Sequence, residues 1–225
     1  MKNKFFGLAM SFLLLVPALH AVELDTKNRN PKYVETIVSR SKKVVDKLEL
    51  KDNEIITNVT NIVANRYFEL NDIYAKRDTT INRIKRSALK GDDKKLALNE
   101  AQNEKESALY RSHFAFPANL SLYLNPEQIE AIEDGITFGV VKVTYDATLD
   151  MIPTLKADEK AQILAWLKEA REFAIDAESA NKKHEAFGKY KGRINNYLST
   201  RGYDLVKERD AWYARIKARD EAKKK

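Results

Sequence analysis

The sequence contains no cysteine and few histidines, glycines or prolines. Its 225 residues include 3 His, 7 Gly and 5 Pro. The absence of cysteine excludes disulfides, thiolate metal sites and a cysteine nucleophile. The sequence also lacks a glycine-rich phosphate loop and a Gly-x-Ser-x-Gly motif. We therefore predict no cofactor and no metal site, and the sequence identifies no catalytic residue.

Long apolar runs are also scarce, and the one clear example lies at the amino terminus. Lys2 and Lys4 precede an uncharged apolar run over residues 5–16, and the segment 17–21 ends in a small residue. This order is typical of a secretory signal peptide, and the run is shorter than the roughly 20 residues of a membrane-spanning helix. We predict a signal peptide over residues 1–21 and a single all-helical domain over residues 22–225. The mature protein is then periplasmic or secreted, with no transmembrane segment.

Positive charge exceeds negative charge along the chain. Lys and Arg number 40 against 33 Asp and Glu, which gives a net charge of +7. Loss of Lys2 and Lys4 with the signal peptide lowers this charge by two. A basic surface favours anionic partners, but an exported protein does not meet DNA or RNA. The sequence thus indicates no nucleic-acid partner and leaves an acidic glycan as a candidate.

Apolar residues at helical spacing extend through almost the whole chain. Asn30-Pro31 is typical of a helix start, because proline suits the first helical position. A stripe of apolar residues at three- and four-residue steps then predicts a helix over about 52–89, roughly 55 Å long. The Gly-Asp-Asp sequence at 91–93 breaks this stripe and begins a third helix. Two long helices joined by a tight polar turn predict a helical hairpin.

The second half of the chain continues the helical pattern with one exception. Pro117 should kink or end the third helix near Phe116. Leu124-Asn-Pro-Glu-Gln128 predicts a capping box for a short helix that Gly135 stops. The segment 136–145 is β-like and predicts an extended connection or an unpaired strand. Gly202 resembles a helix C-cap. Further helices are predicted over residues 158–180, 183–200 and 203–222. The expected fold is all-α, with a long helical hairpin packed against a C-terminal group of helices.

Residues 184–198 concentrate more groups suited to a polar ligand than any other segment. On a helix its aromatic and aliphatic residues form one inward face, and its basic and amide residues form stripes beside it. Gly188 and Gly192 have two explanations: they let a neighbouring helix approach closely, or they expose backbone to a ligand at a cost of up to about 1 kcal/mol each. The candidate ligand-binding residues of the segment are Lys189, Tyr190, Arg193, Asn195 and Asn196, with His184 at its start.

Three residues outside this segment are second-rank candidates. Trp166 and Arg171 lie on a predicted helix, where Trp166 fits a core position better than a ligand contact. Tyr145 follows the β-like stretch and could line a groove. Glu169, Glu172 and Asp176 share one helical face, but a solvated surface explains these carboxylates better than acid–base chemistry.

The segments 134–145, 161–172 and 187–198 together resemble an uncharacterised secreted family, DUF3826, a domain of unknown function from glycan-degrading Gram-negative bacteria. The resemblance covers nearly the whole mature chain. It implies sugar binding within a polysaccharide-utilisation system, and it brings no catalytic residues. A weaker likeness, through Leu124 to Gln128, is to periplasmic helical-hairpin chaperones with a Leu-Thr-x-x-Gln motif. This second likeness is a fold analogy only.

These observations favour one function and leave two alternatives open. We expect an exported, non-catalytic binding protein for a glycan or oligosaccharide. The alternatives are a periplasmic helical-hairpin chaperone or stress adaptor, and a polysaccharide lyase or hydrolase that uses a tyrosine, His184 or a carboxylate pair.

Overall fold

The structure, a computed structural model, describes residues 21–223 and is built from α-helices, without a β-strand in that range. The all-α prediction is confirmed. The predicted signal peptide falls almost entirely on residues 1–20, outside the described residues. The helices are α1 (Pro31–Val45), α2 (Asn53–Arg86), α3 (Gly91–His113), α4 (Ala115–Leu120), α5 (Pro126–Ile136), α6 (Val140–Met151), α7 (Ala157–Ile175), α8 (Ala180–Thr200) and α9 (Leu205–Ala222).

Polar caps begin the helices at the predicted positions. The Asn30 side chain accepts hydrogen bonds from the first backbone amides of α1, and Asp52 does the same for α2. At α5, Asn125 and Gln128 exchange the two hydrogen bonds of a capping box. These caps satisfy amide groups that have no partner inside their own helix. Local sequence therefore sets where these three helices start.

The long hairpin is formed by α2 and α3. With 34 residues, α2 is roughly 51 Å long, and residues 87–90 connect it to α3. The first half of α2 contributes most of its buried residues, including Val59, Val63 and Phe68. The first half of α2 therefore packs in the core.

The structure has two main apolar cores. One is formed mainly by α1, α2, α4 and α5, and the other by α6, α7 and α8. Ile175, the last residue of α7, belongs to the first core, whereas the other apolar core residues of α7 belong to the second. The end of α7 thus joins the hairpin side of the molecule to the C-terminal helices.

The β-like prediction for residues 136–145 is wrong. The segment contains the end of α5, a tight turn, and the first half of α6. Phe138 and Gly139 both adopt positive φ, 64° and 66°, which reverses the chain without a strand. Val140 and Val141 are buried in the second core, so burial outweighs the preference of branched residues for extended structure.

Two helix ends differ from the predicted ones. Pro117 neither kinks nor ends α3: that helix stops at His113, and Pro117 lies in the first turn of the separate helix α4. Similarly, α7 ends at Ile175 rather than near Ala180. As a result His113 is the last residue of α3, and Asp176 directly follows α7.

No helix among residues 21–223 combines the length and apolar character needed to cross a lipid bilayer.

We predict opposite effects of the same substitution at two helical glycines. A methyl group on Gly135 would lie 2.6 Å from Cγ1 of Val44 in α1, whereas nothing lies within 4 Å of one on Gly188 in α8. Gly135→Ala should therefore destabilise the protein by about 1–3 kcal/mol through overpacking. Gly188→Ala should stabilise it by about 0.5–1 kcal/mol, because alanine favours the helix. Denaturant unfolding of both variants measures the difference, and equal effects would contradict the packing of α5 on α1.

Candidate functional site

A groove of about 670 Å³ lies between the C-terminal part of α3, the end of α7 and the first half of α8. Tyr74 and Arg77 of α2 line it as well. Its charged and polar residues include His113 from the end of α3, Glu172 and Asp176 from the end of α7, and Lys189 from α8. The two helix ends described above therefore meet in one concave surface.

Asp176 is the most highly connected of these residues. One carboxylate oxygen accepts a hydrogen bond from Arg66 of α2, and the other lies 2.8 Å from Nδ1 of His113. Arg66 is only 4% exposed, and it also donates to Glu69 and to Ser112 of α3. Because the carboxylate already accepts from a guanidinium, we assign the Nδ1 proton to His113, which donates it to Asp176.

This pairing orients the second nitrogen of His113. With Nδ1 bound to Asp176, the free position is Nε2, which lies 3.8 Å from a carboxylate oxygen of Glu172. A histidine oriented by a carboxylate through one nitrogen presents the other for proton transfer. The geometry therefore supplies a group that can accept or donate a proton, with a second carboxyl group beside it.

Exposed aromatic side chains surround this polar centre. Tyr110 is 70% exposed, Phe114 60% and Phe173 64%. The Tyr110 and Phe114 rings meet edge to face at 5.6 Å, and Phe173 stacks on Tyr190 at 6.3 Å. Large apolar side chains are rarely left this exposed together, and a cluster of them typically marks a binding surface.

Tyr74 and Lys105 form the more buried part of the groove. The Tyr74 hydroxyl donates to the backbone carbonyl of Asp176 at 2.8 Å, which fixes the chain where it leaves α7. Burial, reinforced by nearby carboxylates, raises the pKa of Tyr74 to about 12, so it stays a neutral hydrogen-bond donor. Lys105 is buried beneath its partner Glu106 and lies 5.7 Å from the Tyr74 ring centre.

The whole groove lies within a region that matches a known family. The model of the family described as "Protein of unknown function (DUF3826)" matches residues 34–218. The chain belongs to this DUF3826 family. The match begins within α1 and ends within α9, so it includes every helix that lines the groove. No curated protein matches the chain.

Of the nine binding residues predicted from the sequence, only Lys189 lines the groove. The inward face predicted for residues 184–198 is confirmed, since Phe187, Ile194 and Leu198 are buried. Tyr190 contributes indirectly by stacking on Phe173. Asn195 and Asn196 are exposed on α8 and line neither this groove nor the other described cavities.

Arg193 and Trp166 form a surface stack rather than part of the groove. The Arg193 guanidinium lies 4.5 Å from the Trp166 ring centre and 3.3 Å from a carboxylate oxygen of Glu169. Trp166 packs partly buried against the second core, as predicted, and Tyr145 does the same from α6. Arg193 therefore links α8 to α7, which is a structural role.

The explanation of Gly188 and Gly192 by close helix packing is wrong. Both residues are exposed, and no other element lies within 4 Å of the position of their missing side chains. His184 is also exposed and stacks on Phe138 at 5.4 Å, outside the groove. The ring of His113, not that of His184, is oriented by a carboxylate.

Arg171 is buried beneath a cluster of carboxylates, which rules it out as a free ligand-binding group. Its guanidinium lies within 3.5 Å of Glu130, Glu133, Asp134 and Glu172. Among residues 21–223, no group of His, Asp and Glu has an arrangement that could hold a metal ion. The cluster is thus organised around an internal cation.

Only some of the groove residues have a signal in the sequence. The spacing of Glu172 and Asp176 predicts that they share a helical face. The expectation that this face is solvated is wrong for Asp176, because its side chain is only 16% exposed. Tyr110 and Phe173 lie outside the apolar stripes of their helices, and Phe114 lies between α3 and α4. Aromatic residues at such positions were the signal that could have located the groove.

We predict that the stability of the protein depends on pH through Glu133. Burial first, and then the neighbouring Glu172, raises the pKa of Glu133 to about 7. In the unfolded chain this pKa returns to about 4.3. The folded state therefore holds a proton that the unfolded state releases, and stability falls as pH rises from about 4 to about 7. Glu133→Gln should lose this dependence and be more stable than the parent at pH 8, by on the order of 2 kcal/mol.

Thermal unfolding of parent and variant at about pH 4 and about pH 8 measures this difference. Glu100→Gln, an exposed position on α3, is the matched control and should show no such pH-dependent gain. A parent and a Glu133→Gln variant with parallel pH profiles would contradict the prediction.

Proposed function

We propose that this protein binds a saccharide in the groove between α3, α7 and α8. The observation that supports the proposal best is the combination of three mostly exposed aromatic side chains with an ordered polar centre. Tyr110, Phe114 and Phe173 provide apolar faces for the C–H surfaces of sugar rings. The carboxylates, His113 and Lys189 provide hydrogen-bond partners for hydroxyl groups.

The size and charge of the groove fit this ligand class. A volume of about 670 Å³ is large enough for a short oligosaccharide. The groove carries both acidic and basic side chains, so it can bind neutral sugars and sugars with one carboxylate. The export predicted from residues 1–21 would place the groove where polysaccharide fragments occur, and it is part of the proposal.

A second candidate function is acid–base catalysis on such a saccharide, as a hydrolase or lyase. It rests on one specific arrangement: Arg66 holds Asp176, Asp176 orients His113, and Nε2 of His113 lies beside Glu172. Nε2 would take a proton from an attacking water or from a sugar carbon, and Glu172 would serve the second proton transfer. The chaperone alternative rests on the helical hairpin and on the 124–128 motif, which in this fold caps the start of α5.

Saccharide binding should depend on the exposed aromatic residues. We expect Tyr110→Ala and Phe173→Ala each to weaken binding of an oligosaccharide about tenfold, through lost stacking and apolar burial. Calorimetric titration with a panel of neutral and acidic oligosaccharides provides the measurement. Tyr213→Ala on α9, where the tyrosine is 57% exposed and outside the groove, is the matched control and should bind normally. Absence of heat and of thermal stabilisation with every oligosaccharide would refute the proposal.

Catalysis, if it occurs in this groove, should depend on His113 and not on His184. In His113→Asn the amide can still donate to Asp176, but the group at Nε2 is lost. We expect turnover of a polysaccharide to fall about 10²–10⁴-fold while binding is retained. Release of reducing ends or unsaturated uronic products measures turnover, and His184→Asn is the control. Equal activity of His113→Asn and the parent protein would exclude this mechanism.

A further inference from the structure

A second cavity, separate from the groove, lies on the other side of the segment that connects α7 to α8. It has a volume of about 560 Å³ and is lined by α1, α2, the turn between α5 and α6, and the start of α8. The two cavities share Tyr74, Ala177 and Glu178 in their walls. We call this second space the Lys183 cavity.

Lys183 is an unusual residue for such a position. It is 6% exposed, and its ammonium makes one long hydrogen bond, 3.4 Å, to the backbone carbonyl of Ile136. Within residues 21–223 it forms no ion pair with a carboxylate. A buried ammonium ordinarily has a charged partner, because removing it from water without one is costly.

A second cation faces the same cavity. Arg40 of α1 lies 5.7 Å from the centre of the Tyr67 ring, and the ammonium of Lys183 lies 5.9 Å from the same centre. The described part of the chain offers Arg40 no carboxylate partner either. Both cations line the same cavity and repel each other, so an anion bound in this cavity would be attracted to both.

The nearest carboxylates are already bound to other cations. Asp176 is held by Arg66 and His113, and Glu178 pairs with Arg77 at 2.7 Å. Burial, opposed by Asp176 and reinforced by Arg66 and Arg40, lowers the pKa of Lys183 to about 8. At pH 7 the Lys183 side chain is still mainly cationic, so it carries a positive charge without a carboxylate partner.

The remaining walls suit a ring-sized organic molecule. Tyr33, Tyr67, Ile37 and Leu70 supply aromatic and aliphatic surface, and Phe138 lies at the turn between α5 and α6 with a positive φ. Such walls favour an organic acid over a strongly hydrated inorganic ion. The cavity therefore combines an apolar space for a ring with two cations for an acidic group.

We propose that the Lys183 cavity binds the carboxylate group of a ring-sized organic acid, with Lys183 as the charged anchor and Arg40 as the second donor. This site does not depend on saccharide binding in the groove. The arginine fork suits a carboxylate, and the ammonium supplies a compact positive charge on its other side.

The test compares D-galacturonate with D-galactose, which has a hydroxymethyl group in place of the carboxylate, and with inorganic phosphate. We expect D-galacturonate to bind in calorimetric titration and to raise the melting temperature, with D-galactose and phosphate at least tenfold weaker. Lys183→Met should lose this binding at least tenfold. Lys191→Met, the same change at an exposed position of α8 that lines neither cavity, should retain it.

The melting temperature of Lys183→Met without ligand shows whether Lys183 has a binding role or a structural role. Lys183→Met removes a buried charge and shortens the unbranched side chain by only one atom, so this variant should melt above the parent protein. A lower melting temperature, together with no galacturonate binding by the parent, would show that Lys183 only caps the end of α5 at Ile136, and would overturn the proposal. Equal binding of phosphate and galacturonate would also overturn it.

The experiments distinguish a failure of the Lys183 cavity proposal from a failure of the saccharide-binding proposal for the groove. Tyr110 lies outside the Lys183 cavity, so Tyr110→Ala should retain the part of galacturonate binding that Lys183→Met abolishes. If Tyr110→Ala and Lys183→Met both lost the same ligand equally, a single site in the groove would explain the data and the Lys183 cavity would be excluded.

Discussion

The carboxylate of Asp176 is the interaction on which the arrangement of this molecule depends. It lies directly after α7 and joins three helices, because Arg66 of α2 and His113 of α3 both bind it. Tyr74 adds a fourth link through the backbone carbonyl of the same residue. Since Arg66 is buried, loss of the carboxylate would leave a cation without its closest partner away from water. The hairpin and the C-terminal helices are therefore joined by a polar interaction at the boundary between two apolar cores.

The same connection explains why the molecule has two neighbouring cavities. Residues 176–179 leave α7 and enter α8 without regular structure, and they form a wall that both cavities share. Asp176 faces the groove, where it orients His113. The following turn brings Lys183 to the opposite side, against Tyr67. Fixing the connection at Asp176 thus positions the polar centre of one cavity and the charged residue of the other.

Local signals predicted the helices well, but the site required tertiary structure. Asn30, Asp52 and Asn125 marked helix starts because capping depends only on nearby backbone amides. The end of α7 at Ile175 had no comparable signal: that residue turns into the first core, and no proline or glycine marks the break. Arg66 and Asp176 are 110 positions apart in sequence, so no spacing rule could pair them. The composition of residues 184–198 predicted a binding surface. Composition could not show that the Arg193 guanidinium already contacts Trp166 and Glu169.

Buried cations with carboxylate partners have a structural role in this protein, whereas a buried cation without such a partner suits ligand binding. Arg66 and Arg171 are both surrounded by carboxylates of the chain itself, so their charges are satisfied when the protein folds. Lys183 is equally buried but has only a distant backbone carbonyl and a tyrosine ring. A protein gains no stability from such a residue, because desolvation of the ammonium is not offset by an opposite charge. Folding alone explains why the two arginines are buried, because carboxylates of the chain neutralise them. The burial of Lys183 is explained if a bound anion supplies the missing negative charge.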